Sequence, residues 1–253
     1  MILAFTKSPA RRLATVGLVA ALFGGCSVPT VTPTAAPSAL PTIPPTTPAY
    51  TLGPTMAADA CPTTTPPAFP GTATVTMSTN FGVLVIKVDG SLGPNAAGSF
   101  VALARCGYYN NIIFHRVIPG FVIQAGDGTN ARLPNPKLGA DLGTGGPSWT
   151  VPDDKVTTTY KRGTVALARA SKANSGSSQF FIVLADKAAT SLAATGANNY
   201  AIFGSIASGM DVADRIALVP TGGDPSVDST GSTQSLAMPL APIVITSTIV
   251  TTP

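Results

Sequence analysis

The chain has 253 residues, of which 45% are hydrophobic and 10% charged, with 15 Lys and Arg against 11 acids, all of them Asp. Without Lys7, Arg11 and Arg12 the basic count falls to 12, so the remainder is close to neutral and offers no nucleic-acid patch. One His and three Cys leave little for a His-based metal site or a Ser/His triad. Little Lys and no Glu beside abundant Val, Thr and Gly argue against a helical protein.

In chain order, Lys7, Arg11 and Arg12 precede an apolar stretch from Leu13 to Phe23 that is too short to span a bilayer as a helix. Residues 1–25 are therefore expected to be a signal peptide. Gly24-Gly25-Cys26 resembles a bacterial lipobox, which makes Cys26 the expected lipidation site; an ordinary signal peptide is the alternative. The lipoprotein reading places the protein outside the cytoplasm, lipid-anchored on the outer side of the bacterial cytoplasmic membrane. Residues 26–70 hold twelve of the chain's 24 prolines together with many Thr, the composition of a disordered linker that holds a domain away from the surface.

About 180 residues remain, enough for one core. Strands are expected at 73–78 and 81–88 around the turn-prone Asn80. A helix follows over Pro94–Arg105, with Phe100, Leu103 and Ala104 on one face and Gly107 at its end. Further strands are expected at 112–118, 121–125, 163–168, 179–184, 201–206 and 242–250, with a second helix at 209–218 and long loops at 128–151, 186–199 and 221–241. Asp153-Asp154 reads as a solvated turn. The pattern suits a mainly β protein, a closed antiparallel barrel with helices over its ends.

Residues Phe114 to Asp127 read FHRVIPGFVIQAGD, a charge and an amide set in an apolar wall. An unpaired buried Arg is costly; a cleft floor from which Arg116 points at a ligand accounts for it better. This block closely resembles the signature of the cyclophilins, the peptidyl-prolyl cis-trans isomerases. Gly163–Ala170 running on to Ser177–Ile182, and Tyr200–Gly204, resemble their second and third signatures, in family order. The resemblance covers residues 71–250 and implies a closed barrel of eight antiparallel strands capped by two helices.

X–Pro bonds turn slowly because the imide has partial double-bond character. A catalyst must favour the twisted state, with a dry pocket for the proline ring and a fixed donor for the imide. The resemblance makes Arg116 that donor, because its charge is permanent and its fork rigid, and makes Gln124 the residue that orients it. It assigns Phe121, Val122, Phe181 and Leu192 to the pocket, with Ile118 on the rim. Ala168, Arg169 and Ala170 would run beside bound peptide, with Gln179 across the cleft, Gly143 in a glycine-rich cleft loop and Tyr200 at the pocket. His115 is expected in the cleft wall or in packing. No cofactor or metal is implied.

Two functions fit: an isomerase that assists folding of exported proteins, and a low-turnover binding module or holdase for Pro-containing segments. Either would take Pro-containing peptide segments as partners and work as a monomer tethered to a membrane. Export favours a disulfide between Cys61 and Cys106; a buried free Cys106 with a mobile Cys61 is the alternative.

Overall fold

Strict alternation builds the first hairpin of the computed structural model, which describes residues 48–54, 61–137, 141–193, 200–222 and 237–253. The expected signal peptide, Cys26 and most of the expected linker lie outside these residues. Strand β1 (Thr72–Thr79) buries Ala73, Val75 and Met77 and turns Thr72 and Thr74 outward; β2 (Gly82–Asp89) buries Leu84, Ile86 and Val88. Between them Asn80 accepts the Val244 N–H at 2.9 Å and donates to Pro242 O at 3.1 Å, tying the turn to the last strand.

Helix α1 (Pro94–Arg105) has Pro in its first turn and no side-chain cap from Gly93. Its cap comes from Asp154, whose carboxylate accepts the Asn95 and Ala96 N–H groups at 3.2 and 2.8 Å, a negative charge at the positive end of the helix. Asp154 is thus a long-range cap, not part of a solvated turn. Phe100 is fully buried from α1, its ring 4.8 Å from Phe203, 5.2 Å from Phe180 and 5.3 Å from Tyr109.

The remaining elements are β3 (Ile112–Ile113), β4 (Arg116–Ile118), β5 (Val122–Ala125), β6 (Thr164–Leu167), β7 (Phe180–Val183), α2 (Ala188–Ala193), β8 (Ile202–Ser208), α3 (Met210–Ala217) and β9 (Val244–Thr251). They form one nine-stranded antiparallel sheet in the order β3-β9-β1-β2-β8-β6-β7-β5-β4. This open half-barrel replaces the closed eight-stranded barrel expected from sequence. The strand expected at 112–118 is two strands because the backbone changes partner inside it. Ile113 pairs with Val244 and the Phe114 N–H donates to Ile243 O, whereas the His115 N–H donates to Gln124 O and Arg116 pairs with Gln124. Among the described residues there are also three helices rather than two, α2 being a short one inside the loop expected at 186–199. None of the described helices is long and apolar enough to cross a membrane.

His115 is 1% exposed at this change of partner. Its pKa is pushed down to about 4, chiefly by burial; the charge of Asp127 opposes the shift and that of Arg116 adds to it.

The fold also takes in residues that composition assigns to the linker. Cys61 and Cys106 form the expected disulfide, with Cα atoms 5.1 Å apart. The Phe69 N–H donates to Pro94 O at 2.9 Å. Gly98 on α1 makes this approach possible, since a Cβ there would lie 2.3 Å from Pro67 O. Farther back, Gly53 exchanges two hydrogen bonds with the Asn111 amide, at 2.7 and 3.1 Å.

Two outcomes follow from these contacts. The disulfide closes a loop of sequence separation 45, so Cys106→Ser should lower the unfolding free energy by about 2–4 kcal/mol in urea titrations without reductant; a change below about 0.5 kcal/mol would contradict the constraint. The His115 pKa lies below its ordinary 6.5, so between the two values the unfolded chain binds the extra proton. Stability from this group should be complete above about pH 6.5 and fall by up to about 3 kcal/mol as pH drops towards 4. His115→Gln should flatten that dependence; an unchanged slope would show that other groups cause it.

Candidate active site

Strand register places the functional side chains. Arg116 lies opposite Gln124, Gln124 opposite Phe181, and Phe181 opposite Ala166. Directly opposed residues share a face, so these four form one row across β4, β5, β7 and β6. Ile118, Val122 and Val183 form the parallel row on the same face. Val117, Ile123, Ile182 and Val165 lie between them and point the other way, into the main core. β6 and β7 are therefore buried on both faces.

The apolar half of the site is a second cluster, separate from the main core. Val122, Phe181 and Leu192 are buried in it, and Phe121, Ala168 and Tyr200 pack against it half-buried. The structure thus brings together the pocket residues named from the sequence, Leu192 arriving on α2. Phe181 meets Tyr200 edge-on with ring centroids 5.2 Å apart. Tyr160, which sequence reading missed, holds Tyr200: its hydroxyl donates to Tyr200 O and accepts the Tyr200 N–H, each at 2.8 Å. Arg116 is half-buried at the pocket edge, its guanidinium carbon 5.9 Å from the Phe121 ring centroid, within cation–π range.

The polar half is held by an amide relay. Gln124 Nε2 donates to Gln179 Oε1 at 2.9 Å, and Gln179 Nε2 donates to Gly143 O and Gly145 O, both at 2.8 Å. Beneath the glycine-rich loop lies Asp127, fully buried, accepting the N–H groups of Gly143, Gly145 and Asn130 at 2.7, 3.2 and 2.8 Å. Sequence reading gave Asp127 no role; its place as the last residue of the Phe114–Asp127 block is the one signal that could have marked it. Gly126 makes the turn into Asp127 with φ +103°, where a Cβ would meet Ser178 O at 2.4 Å. A cavity of about 450 Å3 lies beyond Gln124 and Gln179, lined also by Gly143, Ala168, Arg169 and Ala170.

Two expected placements change, those of Ile118 and Arg169, and that of His115 narrows. Ile118 is 8% exposed and belongs to the buried wall rather than an open rim. His115, expected in the cleft wall or in packing, is buried, and neither ring nitrogen has a protein hydrogen bond of good geometry, which places it in packing. Arg169 lines the cavity, but its side chain is 4% exposed and its guanidinium turns to Lys172 O at 2.9 Å and Asp153 at 3.4 Å, making it part of the wall. Among the described residues, no three His, Cys or acidic side chains come together as a metal site.

Comparison with known proteins agrees with this geometry. Residues 74–247 match the model of the family described as cyclophilin type peptidyl-prolyl cis-trans isomerase. The chain is 39% identical over 148 residues to a peptidyl-prolyl cis-trans isomerase of Acinetobacter baylyi, covering 58% of this chain and 73% of the relative. It is 35% identical over 188 residues to peptidyl-prolyl cis-trans isomerase A of Dickeya dadantii, covering 72% and 87%. A solved Cryptosporidium parvum cyclophilin-type isomerase superposes with TM-score 0.54 at 27% identity, over 72% of this chain and 99% of that one. A second structure of that protein, determined in the presence of the dipeptide Ala-Pro, gives the same score at 28% identity, over 71% and 99%. With the row from Arg116 to Ala166, the apolar pocket and the family match in agreement, the chain belongs to the cyclophilin-type peptidyl-prolyl cis-trans isomerases.

Proposed function

We propose that this isomerase turns X–Pro bonds in exported proteins, acting as a monomer from a lipid anchor at Cys26 outside the cytoplasm. The placement of Arg116 at the edge of the Phe121, Val122 and Phe181 pocket carries the catalytic part of this reading. The proline ring fills the apolar cluster and loses its water. Arg116 then donates to the imide as it twists, when its nitrogen loses resonance and becomes an acceptor. A donor placed for that state lowers the barrier without covalent chemistry. The register row holds Arg116 opposite Gln124, and Gln124 is fixed by Gln179, so the donor side of the cleft is set before substrate arrives. Export is supported by the basic and apolar N-terminus and by the Cys61–Cys106 disulfide, a bond that persists in oxidising compartments.

Arg116→Ala should leave the fold intact and cut kcat/KM roughly 10²–10³-fold in a protease-coupled assay on an X–Pro peptide, the cost of one aimed transition-state donor. Near-normal turnover in the folded variant would overturn the mechanism and leave a binding module as the better reading. For the anchor, mass spectrometry of detergent-extracted protein should find a chain that starts at Cys26 and carries acyl groups. Unchanged membrane retention of Cys26→Ser would contradict it.

A further inference from the structure

One stretch of the cleft wall is held from the N-terminal segment. Residues 146–150 connect the glycine-rich loop to the Val151–Gly176 bridge without forming strand or helix. Their ends are fixed: Thr129 Oγ1 donates to Gly146 O at 3.0 Å, and the Val151 N–H donates to Gly176 O at 2.9 Å. Between these ends, Trp149 Nε1 donates to Pro62 O at 3.0 Å and Thr65 Oγ1 donates to Thr150 O at 2.9 Å. Both bonds run to the N-terminal segment, far away in sequence. Thr150 lines the 450 Å3 cavity with Gly146 and Pro147, while Trp149 is buried against the main core.

We propose that residues 62–65 form a positioning strut for the peptide cleft, clamped in place by the Cys61–Cys106 disulfide, so that the state of this bond sets affinity for peptides long enough to reach the polar cavity. The net strength of one hydrogen bond is comparable to or below the cost of ordering one residue, so two bonds do not by themselves hold a four-residue stretch. The stretch is fixed because both of its ends are: Cys61 is covalently joined to the residue that follows α1, and Pro66 is buried beside the Gly98 contact. Breaking the disulfide releases one end, and the supports of Trp149 and Thr150 loosen with it. The two hydrogen bonds of the strut reach Trp149 and Thr150 beside the polar cavity, so its effect falls on binding of extended peptide and not on the twisting step.

The test rests on the isomerase reading and uses the full chain with two substrates followed by exchange NMR: a blocked X–Pro dipeptide, and a peptide extended by three residues at each end. Thr65→Val keeps the disulfide and removes only the hydroxyl. It should raise KM for the extended peptide about two- to tenfold, leave its kcat and both constants for the dipeptide unchanged, and be rescued by Thr65→Ser. The Cys61→Ser/Cys106→Ser double variant should show the same selective rise. It should also red-shift the emission of Trp149, the only Trp in the chain, which Thr65→Val should not. If the double variant loses thermal stability while KM for the extended peptide stays at the wild-type value in both variants, the segment is a structural brace and the proposal fails. A wild-type chain without turnover would refute the isomerase reading instead, and Trp149-monitored titration with the extended peptide would still decide the strut.

Discussion

The pairing register of β4, β5, β7 and β6 is the constraint on which the rest of the structure depends. In this register Val117, Ile123, Ile182 and Val165 meet in the main core, and Arg116, Gln124, Phe181 and Ala166 meet on the opposite face. A slip of one residue would exchange the faces. Arg116 would then enter the core, where a charge without partners is prohibitively costly, and Val117 and Ile123 would line the cleft. The hydrophobic effect that selects the fold therefore also selects the site. This is why strands of only four residues, β6 and β7, are buried throughout: one face packs into the main core and the other into the second apolar cluster, the candidate pocket.

Register alone would leave the cleft half-built, because its polar side is loop. Glycine-rich backbone offers no side chains with which to anchor itself, so other elements reach in. Asp127 gathers the Gly143 and Gly145 N–H groups from below, while Gln179 takes their carbonyls from across the cleft. Helix α1 contributes from beneath through Ser99, which donates to Ser177 O, and is itself capped by Asp154 from the far side of the same wall. The glycine loop, the wall at 168–178 and α1 are thus cross-tied by short polar contacts that no single segment contains. The N-terminal segment adds the last ties, at Trp149 and Thr150.

Much of the sheet was legible because alternation is written locally. The alternation of Thr with Ala, Val and Met in β1 gives its faces directly, and through the hairpin those of β2, and Pro94 and Gly107 mark the limits of α1. The pocket was legible only through the three signature blocks; Phe121 and Phe181 by themselves look like core. Contacts made at long range left no local trace. Asp154 reads as a turn residue until α1 arrives 58 residues away, and Tyr160 carries no sign that it will hold Tyr200. The strand count missed for a related reason. Apolar character runs unbroken from Ile112 to Ile118, but at Phe114 and His115 the backbone leaves β9 for β5, and a change of partner has no hydropathy signature. His115, in the same stretch, could be cleft wall or packing by its neighbours, and the change of partner buries it.

In the proposed mechanism this register aims a rigid cationic fork at the twisted imide while the apolar pocket supplies the binding. Arg116→Lys keeps the charge and the pocket and removes the fork. Exchange spectroscopy on an X–Pro peptide, paired with a binding titration, measures the two contributions separately. The dissociation constant should stay within about threefold of the wild type, and the on-enzyme exchange rate should be at least about tenfold slower. An exchange rate equal to that of the wild type, or a loss of rate matched by an equal loss of affinity, would contradict it.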